Sequence, residues 1–214
     1  MLLCPSMMCA DFSRLGEETD ELAAAGADIF HLDVMDGSFV PNFGLGQYDV
    51  EAICRRTDVP CDIHLMAAQP DVFIDLAAQS GVKIVYVHTD AVQPINSTLL
   101  KIAELGMKAG IVVDPGVSFE SVRYSLPTVD YVLIMTVNPG FAGQTYLDYV
   151  NPKIEEFAAH KEEFGYQIII DGACSAQVIK QAETLGADGA VLGTSALFGK
   201  GRPYAEIMKD LRRL

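Results

Sequence analysis

Residues 31–37 read HLDVMDG, which sets an imidazole and a carboxylate two positions apart inside an apolar run. In a strand, alternate residues share a face, so His31 and Asp33 point one way while Phe30, Leu32 and Val34 point the other. CDIHLM supplies His64 and IIIDG supplies Asp171, each at the end of a further apolar run. Two imidazoles and two carboxylates converging on one place make a divalent-metal site of mixed nitrogen and oxygen donors. Taken singly, each residue is explained as well by a strand end reaching water. Four at equivalent places in three strands favour the ion.

The elements that must position these groups alternate. Apolar β-rich runs occupy 2–8, 28–34, 61–66, 83–89, 108–114, 130–136, 166–171 and 189–194, and amphipathic helical patterns occupy 13–27, 71–81, 96–106, 152–165, 175–187 and 203–214. Many of these helices end in Gly-Ala or Leu-Gly, a helix-stop signal. Eight strands in 214 residues give about 27 residues per unit, enough for a βα crossover repeat. The expectation is a single-domain α/β chain, 1–214, folded as a (β/α)8 TIM barrel with its working face at the C-terminal ends of the strands. A doubly wound open sheet is the alternative, but no G-x-G-x-x-G follows the first strand.

Three glycine-bearing segments follow the last strands: NPGFAGQ (138–144), DGACS (171–175) and LGTSALF (192–198). Each is read as a strand end opening towards a helix, where free amides and the helix dipole favour an anion. Gly140, Phe141, Ala142, Gly143, Gly172, Ala173, Gly193 and Thr194 are therefore candidate phosphate-binding residues, although Pro-Gly clusters are also ordinary turns. These segments have no Lys or Arg before residue 199, and none is required, because backbone amides alone can cradle a phosphate.

A metal beside a phosphate site selects a small phosphorylated molecule with further oxygens. No Ser or Cys has a histidine partner in a recognisable motif, and no lysine sits at a strand end for a Schiff base. Asp33 and Asp171 flanking a polarised carbonyl suit removal of a proton from one face of a carbon and its return to the other. That reaction is an epimerisation.

Composition narrows the partners. The formal charge is −14, from 29 acidic and 15 basic residues, with no basic cluster of the kind nucleic acid or anionic membranes need. No run of eighteen apolar residues free of charge exists, and MLLCPSMMCADF lacks the features of a signal peptide. Five scattered cysteines without a C-x-x-C fit reduced thiols in a cytoplasmic enzyme. His88 closes the fourth strand and is read as a structural imidazole, His160 as solvated, and Asp36 as the cap of the turn after strand two.

These residues bring the chain close to a known family. Ser6-Met7-Met8-Cys9-Ala10-Asp11-Phe12, HLDVMDG with the following FVPN, DIHLM, MTVNPGFAGQ, the DG after strand seven and GTSALF span residues 6–198. In content and order they resemble the ribulose-phosphate 3-epimerase family. The resemblance implies one divalent metal, held by His31, Asp33, His64 and Asp171, with zinc, manganese, iron, cobalt and magnesium all suitable. It implies Asp33 and Asp171 as the acid/base pair that inverts C3 of a ketose phosphate. Ser6 and His64 would contact the substrate, and Met35, Met66 and Met135 would line the site around the enediolate, where plain core filling is an equal explanation. The eight glycine-loop residues would hold the phosphate, and a homo-oligomer, dimer or hexamer, is expected.

The chain departs from the pentulose-phosphate pattern at DGA (Ala173) in place of D-G-G, at GT (Thr194) in place of G-S, and at Cys9 before Ala10-Asp11. In these blocks it is more similar to the allulose-6-phosphate 3-epimerase branch. Conversion of D-allulose 6-phosphate to D-fructose 6-phosphate is therefore placed ahead of D-ribulose 5-phosphate to D-xylulose 5-phosphate. A decarboxylase or aldolase relative would carry lysine in a D-x-K-x-x-D strand motif, which HLDVMD lacks. A non-catalytic sugar-phosphate-binding barrel would not need both carboxylates.

Overall fold

The structure is a computed structural model that describes residues 1–92 and 94–214. The strands are β1 (Leu2–Pro5), β2 (Phe30–Met35), β3 (Cys61–Met66), β4 (Ile84–His88), β5 (Lys108–Val113), β6 (Tyr131–Met135), β7 (Gln167–Asp171) and β8 (Gly189–Leu192). The helices are α1 (Leu15–Ala24), α2 (Gln47–Arg56), α3 (Asp71–Ser80), α4 (Ile95–Glu104), α5 (Phe119–Val122), α6 (Asn151–Phe164), α7 (Ala176–Thr184) and α8 (Tyr204–Leu211).

All eight strands pair in parallel in the order β1-β8-β7-β6-β5-β4-β3-β2. The β1 and β2 edges meet through a single parallel bridge between Ser6 and His31, which all but closes the sheet into a TIM barrel. The closure point thus brings two of the candidate residues side by side.

Strand alternation divides the core in two. Phe30, Leu32, Val34, Ile63, Leu65, Val85, Val87, Ile111, Val132, Ile134, Ile168 and Ile170 face outward and pack with the helices. Cys4, Ile84, Tyr86, Val112, Leu133, Met135, Ile169 and Val191 fill the barrel interior. Asp33 and His64, inward on β2 and β3 one step below the terminal Met35 and Met66, and Asp171, the last inward residue of β7, are polar, which puts the chemistry at the C-terminal end.

The largest differences from the sequence expectation are one shortened strand and two missed helices. The first strand stops at Pro5, and Met7–Cys9 form a 3-10 turn in which the Cys9 amide donates to Ser6 O. Two successive methionines break the alternation there, Met7 turning into the outer core and Met8 towards the mouth. α2 and α5 were absent from the helical patterns: α2 buries only Val50 and Ile53, too few to show an apolar stripe, and α5 is a single turn. The expected helix stops are present, with Gly81 and Gly165 left-handed after α3 and α6. No described helix is long and apolar enough to cross a membrane.

Candidate active site

β2 delivers His31, Asp33 and Met35 to the inside, β3 delivers Asp62, His64 and Met66, and β7 ends on Asp171. In register, His31 pairs with Asp62 and Asp33 with His64. His31 Nε2 lies 3.2 Å from Asp33 Oδ1 and 3.7 Å from Asp171 Oδ2. His64 Nδ1 lies 3.3 Å and 3.6 Å from the same two oxygens. One ligand-type atom from each of the four falls within 4.8 Å of all the others. Asp33 Oδ2, turned away from this point, accepts from the Ser6 hydroxyl at 2.7 Å.

The electrostatics favour positive charge at the shared point. Burial works against a charged His31, but Asp62 and Asp33 outweigh it and hold the ring well above the usual imidazole range. For His64 burial is likewise overcome, by Asp171 and Asp33, and the ring is raised. Burial opposes ionisation of Asp33, yet His31 and His64 hold its carboxyl far below the usual range.

Whether the set suits a metal is decided by its nitrogens. His31 Nε2 and His64 Nδ1 are completely buried and have no hydrogen-bond partner, their approaches to the carboxylates being ion-pair contacts. Such orphaned atoms cost about 1–3 kcal/mol each unless something engages them. Two imidazoles, once their protons are displaced, and two carboxylates around one centre match the donor preference of first-row divalent ions. The His/Asp cluster can hold a divalent metal.

A cavity of about 70 Å³ lies above the cluster and opens to solvent. Ser6, Asp33, Met35, Met66, Met135, Gly140, Phe141, Ala142, Gly143, Asp171, Gly172, Ala173, Gly193 and Thr194 all line it, while His31 and His64 lie beneath its wall. Met35 and Met66 form a small mouth cluster with Val40, Met8 and Phe39, whereas Met135 belongs to the barrel interior.

The glycine segments differ from expectation in one respect. Only DGACS leads straight into a helix, with Ser175 capping α7. NPGFAGQ runs on through a loop to a 3-10 turn at Asp148–Val150 before α6, and LGTSALF makes a turn in which Gly193 O accepts from Leu197 N at 3.0 Å. The helix dipole therefore serves one segment of the three. Among the described residues, none of the eight candidate amides donates to a backbone acceptor in a turn or loop, while the Thr194 and Gly172 amides lie against the Cys9 and Cys174 thiols. Gly172 is left-handed (φ 117°), and a Cβ there would fall 2.5 Å from Val137 Cγ2. Ala173 is the one non-glycine with positive φ (51°) among the described residues.

Several positioning contacts were not anticipated. His31 Nδ1 faces Asp62 Oδ1 at 2.7 Å behind the site. The Thr136 hydroxyl donates to Asp171 O at 2.9 Å and to Gly172 O at 2.5 Å, tying β6 to the end of β7. Asn42 Nδ2 donates to Gly140 O at 2.7 Å, and Gln144 Nε2 donates to Asn138 O and Phe141 O, which shapes the NPGFAGQ loop. Asp36 caps its turn as expected, accepting from Ser38, Phe39 and Ala68 amides. His160 is not simply solvated: it stacks on Phe119 with centroids 4.5 Å apart.

Comparison with known proteins decides the lineage. A model described as the ribulose-phosphate 3 epimerase family matches residues 2–198. The chain belongs to this family. Relatives named ribulose-phosphate 3-epimerase include those of Bacillus subtilis, 39% identical over 92% of each chain, and of Synechocystis, 40% identical over 99% of this chain and 93% of that one. The Escherichia coli K12 protein of the same name is 35% identical over 99% and 94%. As a family member the chain is an isomerase of the epimerase type. Solved structures repeat the fold alone: phosphoribosylanthranilate isomerase from Thermotoga maritima aligns over 100% of this chain and 98% of that one, with TM-score 0.67 at 13% identity. A Pyrococcus furiosus thiamine phosphate pyrophosphorylase aligns over 99% and 93%, with TM-score 0.69 at 15% identity.

Proposed function

We propose that the protein inverts C3 of a ketose phosphate by proton transfer between Asp33 and Asp171. The observation that carries this is the approach of both carboxylates, from β2 and β7, to the same two imidazole nitrogens at the floor of one cavity. One carboxylate takes the C3 proton as the C–H bond breaks, and the electron pair moves towards the C2 carbonyl oxygen to give an enediolate. The other returns a proton to C3 from the opposite face. His31, Asp33, His64 and Asp171 would hold a divalent ion, which would supply positive charge to offset the negative charge of the enediolate. Ser6, donating to Asp33, fixes which carboxylate oxygen is turned to the substrate. Met35, Met66 and Met135 surround the reacting carbons with polarisable apolar surface and exclude water. The backbone amides of Gly140–Gly143, Gly172–Ala173 and Gly193–Thr194 take the phosphate.

For the substrate, the names of the relatives support D-ribulose 5-phosphate to D-xylulose 5-phosphate, and we take this reading first, reversing the order the motifs suggest. D-Allulose 6-phosphate to D-fructose 6-phosphate is a second reading. It is favoured by Ala173, held left-handed where glycine would be easier, and by Cys9 and Thr194, all lining the cavity. A cytoplasmic homo-oligomer, dimer or hexamer, completes the reading, consistent with five free thiols. The experiment is kcat/KM on both sugar phosphates with C3–H exchange followed in deuterium oxide. Exchange and turnover on either support the epimerase reading, and the larger kcat/KM assigns the substrate. Binding of both without exchange refutes it and leaves a sugar-phosphate-binding barrel.

A further inference from the structure

His88 lies outside the four-residue cluster, yet it controls one member of it. His64 Nδ1 is the nitrogen that faces Asp33 and Asp171, and its other nitrogen, Nε2, lies 2.8 Å from His88 Nε2. The rings are inclined by only 23° with centroids 5.0 Å apart, so they meet nearly edge to edge. Two facing ring nitrogens share one proton, and one of them must accept. The decision is made one residue further out, where His88 Nδ1 lies 3.1 Å from Asp114 Oδ2.

An ionised carboxylate only accepts, so His88 Nδ1 carries hydrogen, and the neutral ring then offers a bare Nε2. His64 must donate to it from Nε2, which leaves the lone pair of His64 Nδ1 free. Phe39 covers His88 at 4.7 Å between ring centroids, and Lys153 Nζ holds Asp114 O at 2.6 Å, so neither partner is loose. We propose that Asp114 and His88 are positioning residues whose two hydrogen bonds fix the His64 tautomer that presents Nδ1 to a divalent ion. The proposal rests on the reading of His64 as a metal ligand.

The test measures Mn²⁺ dissociation constants by equilibrium dialysis of EDTA-stripped full-length protein, with thermal unfolding of the stripped forms as a folding control. Asp114→Ala lets the His88 proton move to Nε2, and Mn²⁺ affinity is expected to fall by about 10- to 100-fold. His88→Gln supplies an amide oxygen that accepts from His64 without help from Asp114, so in the His88→Gln background Asp114→Ala is expected to change affinity less than about threefold. Equal losses in both backgrounds, or no loss in either, overturn the proposal. His88, Asp90 and Asp114 also have ligand-type atoms within 4.8 Å of one another. A second bound equivalent of Mn²⁺ that disappears in Asp114→Ala would therefore overturn it as well, by making Asp114 a ligand. Long-range ¹H–¹⁵N spectra of the Zn²⁺-loaded protein read the tautomer directly: hydrogen on His64 Nε2 supports the proposal and hydrogen on Nδ1 refutes it. His64→Ala separates the two levels. If that variant keeps parental Mn²⁺ affinity, the ligand assignment itself fails; if it loses affinity while Asp114→Ala does not, only the positioning role fails.

Discussion

Asp62 stands directly behind His31: its Oδ1 is 2.7 Å from His31 Nδ1, while His31 Nε2 on the far edge of the ring faces Asp33. Both side chains are fully buried. The carboxylate that polarises His31 never reaches the cavity, yet it contributes most to raising that ring against the effect of burial. Asp62→Asn keeps the shape and removes the charge. Metal affinity is expected to fall about tenfold, in line with outer carboxylates behind ligating imidazoles, and titration of His31 in the metal-free protein is expected to move down. Equilibrium dialysis with Mn²⁺ and histidine NMR titration check the two halves. An unchanged His31 titration would show that Asp33 alone sets the ring.

The two-base reading makes an asymmetric prediction for Asp33→Asn and Asp171→Asn. Either change is expected to lower epimerisation by at least about 10²- to 10⁴-fold, the usual contribution of a positioned acid or base. The remaining carboxylate still reaches one face of C3, so each variant is expected to exchange the C3 hydrogen of one epimer and not the other. Mass spectrometry of both epimers incubated in deuterium oxide reads this out. Exchange of both epimers by a single variant would mean that one base serves both faces.

Much of the site was legible because period-two alternation is strict in buried strands. A polar residue interrupting an apolar run on the inward parity had to face the interior, and this located His31, Asp33, His64 and Asp171. Asp62 had the same parity as His64 in CDIHLM and could have been found by that rule, but a fully buried carboxylate below the mouth has no role until its lateral neighbour is known. Lateral neighbours depend on register, which the chain does not print: His64 meets His88, and His88 meets Asp114, only because β3, β4 and β5 stagger as they do. The Asn42–Gly140 tether joins residues 98 positions apart and left no local signal. α2 escaped for a different reason, since a helix that buries two residues looks like a loop.

Metal binding and protonation compete at one place, and the sign follows from the shifts. His31 has a folded-state pKa above its unfolded value near 6.5. In metal-free protein its contribution to stability is therefore fully present below about pH 6.5 and is lost as pH rises through the folded value. Asp33 has the opposite sense: its contribution is present above about pH 3.9 and is lost as pH falls through its depressed value. An ion must displace the imidazole protons, so affinity is expected to rise with pH, and binding at pH 7 is expected to release protons. Calorimetry of Mn²⁺ binding in buffers of different ionisation enthalpy measures the release. A binding enthalpy independent of buffer would contradict protonated imidazoles in the metal-free site.

Beneath the cavity the barrel has no room to spare at Gly110. This residue pairs laterally with Tyr86, whose ring is fully buried between His31 at 6.4 Å and Tyr131 at 6.1 Å, centroid to centroid. A Cβ on residue 110 would lie 2.4 Å from Tyr86 Cδ1 and 2.7 Å from Cε1. The ring has no flexible end to move aside, so Gly110→Ala must shift a packed layer. Overpacking of this kind costs about 1–3 kcal/mol, roughly 2–12 °C in Tm for a chain of this size. Tyr86→Phe keeps the colliding ring edge and removes a hydroxyl that has no partner, so it is expected to leave the loss in place. Tyr86→Leu removes the edge, and the double variant Gly110→Ala/Tyr86→Leu is expected to be more stable than the sum of the single changes by more than about 0.5 kcal/mol. Thermal and urea unfolding of the four proteins completes the cycle. Strict additivity would mean that the strand, not the ring, absorbs the added methyl group.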